Sequence, residues 1–186
     1  MKSARFDQDR ADFLPAVKSQ LLITKMQTID DRVDWALWFY WIMATTLGWL
    51  LGKLLFVGIS MVASGVAIAA FQWAVLYRRI HNAWRWAVLS SLIWIAITIL
   101  LQIAAPTAMT AFIGPLLGLV LGIAQWYLLK QVVEWAGWWI IISLLAWTTG
   151  LTIIPGLLTS GALPGALTGL TLVILFRYAS PKTRYL

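Results

Sequence analysis

Residues 110–129 read TAFIGPLLGLVLGIAQWYLL. Twenty residues without a charge match the length of helix that crosses a bilayer core. Gly114, Gly118 and Gly122 recur every fourth residue, which places them on one face of that helix. Lipid is as apolar as leucine, so helices associate there by close packing, and small residues let two backbones approach. The stretch therefore predicts a membrane-crossing helix, tightly paired along its glycine face and ending in Gln125-Trp126.

The same pattern returns on either side. Gly65, Ala69, Gln72 and Trp73 reproduce the spacing of Gly118, Gly122, Gln125 and Trp126. A third copy keeps Gly165 and Gly169, preceded by Gly161, but carries Leu172 and Val173 where Gln-Trp would fall. Each copy follows an apolar stretch that opens near Trp41, Trp86 or Trp139 and holds a second tryptophan eight residues later, Trp49, Trp94 or Trp147. Between each pair sits a small hydroxyl residue, Thr45, Ser90 or Ser143. Ala83 and Ala136 also correspond. The repeating unit is a two-helix hairpin used three times.

Six spans follow, at about 35–52, 54–77, 87–104, 110–129, 138–154 and 156–176. The fold class is an all-α integral membrane protein of three repeated hairpins, at about 35–77, 87–129 and 138–176. Composition agrees: the 186 residues are 61% hydrophobic and 11% charged, with a mean hydropathy of +0.83. Soluble domains average about 45–50% apolar and about 25% charged residues. No alternating ten-residue barrel pattern appears.

The net charge of +7 is a matter of topology. Residues 1–34 hold six bases and six acids; the remainder holds eight bases and one acid, Glu134. With both termini cytoplasmic, the inside segments contain Arg78, Arg79, Arg85, Lys130, Arg177, Lys182 and Arg184, against Lys53 alone outside. Bases scattered between apolar stretches do not form the continuous face that nucleic acid requires, so no nucleic-acid partner is expected. Domain boundaries fall at 1–34, a cytoplasmic segment; 35–177, the membrane domain; and 178–186, a cytoplasmic tail. The first segment is not patterned as a secretory signal. Pro15 opens a partly amphipathic helix with Leu14, Val17, Leu21, Leu22, Met26 and Ile29 on one face, suited to the membrane surface, to a partner, or to capping the bundle.

Catalytic and metal residues are not expected. No Asp, Glu, Lys or Arg falls in the middle of a span, where ionisable groups mark proton and ion paths. The chain has no cysteine and one histidine, His81, in a loop. Gln72 and Gln125 are the polar candidates inside the bundle, as interhelical hydrogen-bonding groups or ligand contacts. Trp49, Trp94 and Trp147 lie about 12 Å deeper than their partners and are candidates for packing or for contact with a planar ligand. Trp84, Trp86, Trp135, Trp138 and Trp139 read as an interfacial belt. Gly65, Gly114, Gly118, Gly122, Gly161, Gly165 and Gly169 are helix-packing positions. Arg78, Arg79 and Arg85 are candidates for lipid headgroup or partner contact.

The Gly-xxx-Gly-xx-Gln-Trp units, with the closing segment Gly161-Ala-Leu-Pro-Gly165-Ala-Leu-Thr-Gly169, resemble a group of polytopic membrane proteins common in cyanobacteria and some other bacteria. The resemblance spans residues 35–177. It implies architecture and a multi-pass location in a bacterial inner membrane or cyanobacterial thylakoid membrane, and no activity.

Two function classes follow. One is a non-catalytic accessory subunit or assembly factor of a larger membrane complex, such as a photosynthetic one, with lipid and other integral membrane subunits as partners. The alternative is a small-solute transport component resembling the substrate-binding subunit of a vitamin uptake transporter, or a stand-alone protein binding chlorophyll, carotenoid or lipid. The repeat is not the transporter pattern, which favours the accessory reading.

Overall fold

The computed structural model describes residues 34–178; the expected N-terminal amphipathic helix and the tail beyond residue 178 lie outside them. The described residues are all-helical. Helix α1 spans Trp35–Leu55, and a 3-10 turn, Val57–Ile59, leads into α2, Ser60–Leu76. Helices α3 (Trp84–Ala104) and α4 (Met109–Leu129) follow. Helix α5, Trp138–Thr148, passes into a π turn, Thr149–Ile153, before α6, Thr159–Tyr178.

Local chemistry sets the ends. The Asp34 carboxylate accepts from Leu37 N–H at 2.9 Å, satisfying one of the free donors at the start of α1. Asn82 takes φ 57° between α2 and α3, a left-handed conformation that Asn adopts more readily than most residues. The boundaries correct one expectation. Lys53 does not form the first turn; it lies in the last turn of α1, and the break falls at Phe56.

Each helix packs against its neighbours in sequence, and α6 returns onto α1, closing a ring. Three helices, α3, α4 and α6, are long and apolar enough to cross a membrane. Helices α2 and α5, the latter with its π turn, are apolar but shorter. Helix α1 has the length, but its four tryptophans, its tyrosine and Lys53 lower its mean hydropathy. The outer surface is apolar: Leu92, Ile103, Phe112, Ile123, Leu145 and Ile174 are all exposed. So broad an apolar exterior suits lipid as solvent.

Candidate functional site

Trp41, Trp86 and Trp139, one from the start of each hairpin, meet inside the ring, each at most 1% exposed. Their ring centroids are 5.6–6.2 Å apart with interplanar angles of 69–80°, the edge-to-face arrangement that aromatic quadrupoles favour. Trp86 and Trp139 are therefore core residues, which corrects their assignment to an interfacial belt. Trp84, Trp135 and Trp138 are exposed. In each odd helix the two kinds of tryptophan differ in helical face, not in depth alone.

The two glutamines connect this triad to the hydroxyl positions. Gln72 Nε2 donates to Thr45 Oγ1 at 3.1 Å, and Gln72 Oε1 accepts from Trp86 Nε1 at 3.1 Å. Gln125 repeats the arrangement one hairpin later, donating to Ser90 Oγ at 2.9 Å and accepting from Trp139 Nε1 at 3.0 Å. Each amide thus joins the odd helix of its own hairpin to that of the next. The third copy departs from this pattern. Leu172 is fully buried at the equivalent place, Trp41 Nε1 donates instead to Thr168 Oγ1 at 2.9 Å, and Ser143 Oγ is buried with no partner.

The glycines make the contacts between hairpins. Gly114, Gly118 and Gly122 of α4 lie against Thr148, Leu144 and Ile140 of α5. A methyl at Gly118 would stand 2.7 Å from Ser143 O and 2.8 Å from Leu144 Cα. Gly161, Gly165 and Gly169 of α6 lie against Thr46, Ile42 and Trp41 of α1, which closes the ring. Gly65 of α2 faces the Trp94 indole of α3. Even helices therefore pack on the odd helix of the following hairpin. Sequence reasoning missed Gly48 and Gly52, which seat α1 on the α2 backbone at Ile68 and Ser64. Their four-residue spacing was the available signal.

The deeper tryptophans form a second layer. Trp94 and Trp147 stack edge-to-face at 4.9 Å, and Trp94 Nε1 donates to Met61 O at 2.7 Å. Trp49 belongs to the same apolar core, but its indole N–H is buried without a partner. Beside it opens a cleft of about 610 Å³, walled by Trp49, Lys53, Met61, Met109, Ile113 and Leu151. The Lys53 ammonium sits 3.3 Å from Met61 Sδ and 4.8 Å from the Trp49 ring centre.

The arginines lie at the opposite end of α2. Arg79 Nη2 pairs with Asp34 Oδ2 at 2.6 Å, both side chains part-exposed. Burial raises the Asp34 pKa, but the Leu37 N–H and the Arg79 guanidinium together outweigh it and hold the carboxyl below its ordinary value. Arg78 contacts the Tyr77 hydroxyl, and Arg85 lies 5.9 Å from the Trp84 ring. Among the described residues, no group of three His, Cys, Asp or Glu gathers to hold a metal. No family model, curated protein or solved structure matches the chain.

Proposed function

We propose that the protein is a non-catalytic integral membrane accessory subunit or assembly factor, its six helices crossing a bacterial inner or thylakoid membrane with both termini cytoplasmic. The observation that carries this reading is the filled interior. Trp41, Trp86 and Trp139 occupy the centre of the ring, and the two inward glutamines are engaged with Thr45, Ser90 and the indole N–H groups. A solute path would need that centre open and its polar groups available, so the geometry favours the accessory role over transport. The orientation rests on Arg78 and Arg79 in the α2–α3 connection, Arg85 in the first turn of α3, and Lys130 in the α4–α5 connection. The resemblance to cyanobacterial polytopic proteins supports the choice of membrane.

Isolation from the native membrane in mild detergent, with particle mass and absorption spectrum recorded together, tests the reading. A particle much larger than 20.8 kDa plus its detergent, containing other integral membrane subunits, is the expected result. A colourless particle of the chain alone would overturn it in favour of transport. A small coloured particle would overturn it in favour of stand-alone pigment binding.

A further inference from the structure

The cleft beside Trp49 combines features that the accessory role does not use. Its volume of about 610 Å³ falls within the roughly 300–1,000 Å³ typical of small-molecule sites. The wall is almost wholly apolar, built by Met61, Met109, Ile113, Leu151 and Leu157, with a single cation, Lys53. That ammonium is half-buried, and among the described residues no carboxylate pairs with it. The two described acids are elsewhere: Asp34 pairs with Arg79, and Glu134 lies in the α4–α5 connection, whereas Lys53 is in the last turn of α1. A lysine serving only the membrane interface would extend its amine outward to water. Here the amine is turned against Met61 and the Trp49 ring, both walls of the cleft. A cation kept among apolar groups without a counter-charge is a site for an anion that brings apolar surface with it.

We propose that this cleft binds a single-chain amphiphile with an anionic head, a carboxylate or a phosphate monoester, the Lys53 ammonium pairing with the head and the Met61–Met109–Leu157 wall holding the chain. Trp49, about one helical turn before Lys53, supplies an aromatic wall of the same cleft.

The test is equilibrium binding of radiolabelled oleate to the full-length protein in a neutral maltoside. Unlabelled lysophosphatidate, monoolein and inorganic phosphate serve as competitors. The proposal expects about one oleate per chain, displaced by lysophosphatidate and about tenfold less well by monoolein or inorganic phosphate. Lys53→Arg keeps the affinity, and Lys53→Met, which keeps the stem and removes the charge, weakens it by about tenfold or more. Equal competition by monoolein, or unchanged binding in Lys53→Met, overturns the proposal and leaves a neutral lipid groove. Selective displacement by lysophosphatidate over unlabelled oleate assigns the phosphate head; the reverse assigns the carboxylate. Should Lys53→Met not fold, wild-type binding read against ionic strength decides, since an anion pair at a part-exposed lysine weakens with salt and a neutral groove does not. The measurement uses the isolated chain, so its failure leaves the accessory reading untouched, and the reverse also holds.

Discussion

Leu172 stands in α6 where α2 and α4 carry Gln72 and Gln125, and Ser143, the hydroxyl corresponding to Thr45 and Ser90, is buried with no hydrogen-bond partner. The two facts have one cause. The third hairpin lacks the amide that bridges the other two junctions, and Thr168 satisfies only the indole half of that arrangement.

Leu172→Gln is expected to raise stability by about 0.6–1.7 kcal/mol, the range of an interhelical hydrogen bond in a membrane, by engaging Ser143. The reverse change, Gln125→Leu, leaves Ser90 and the Trp139 N–H unsatisfied and costs about 1–3 kcal/mol. Unfolding in mixed micelles reads both. In a double-mutant cycle, Gln125→Leu with Ser90→Ala should cost less than the sum of the single changes.

Added methyl groups test the ring's junctions. Gly118→Ala places a Cβ 2.7 Å from a backbone oxygen of α5, and Gly165→Ala one 3.0 Å from Ile42 Cα, so both destabilise by about 1–3 kcal/mol with Gly118 the worse. The leucine variants should separate the helices outright. Gly137, at the start of α5 with φ −58° and open space around its Cβ, is the control. Gly137→Ala is neutral or stabilises by about 0.4–1 kcal/mol.

Trp86→Ala removes a fully buried ring from the central triad and costs about 3–5 kcal/mol. Trp84→Ala, two residues away and exposed, changes stability by no more than about 0.5 kcal/mol. Trp86→Phe falls between them, because it fills most of the space but leaves Gln72 Oε1 without its donor. Thermal unfolding of the three variants in one detergent orders them.

The Asp34–Arg79 pair adds pH dependence. The folded carboxyl has a depressed pKa, so its contribution is present above the unfolded pKa and fades as pH falls through the folded one. Thermal midpoints from about pH 6 down to about pH 3 should therefore drop more in the wild type than in Asp34→Asn, which no longer titrates. Both side chains are part-exposed, so salt reduces the difference.

Much of this architecture was legible in the chain itself. The threefold period and the four-residue glycine spacing depend only on local periodicity, and both appear in the helices as folded. The tertiary structure decided the rest. It showed that the glycine faces of the even helices pack on the following hairpin, that Trp86 and Trp139 turn inward while Trp84 and Trp138 turn outward, and that Lys53 borders a cleft instead of forming a turn. The reason is physical. Where a helix has an apolar outer face as well as a packed inner one, sequence periodicity marks which residues share a face but not whether that face turns inward or outward. That direction is set only when six helices close into a ring around three tryptophans.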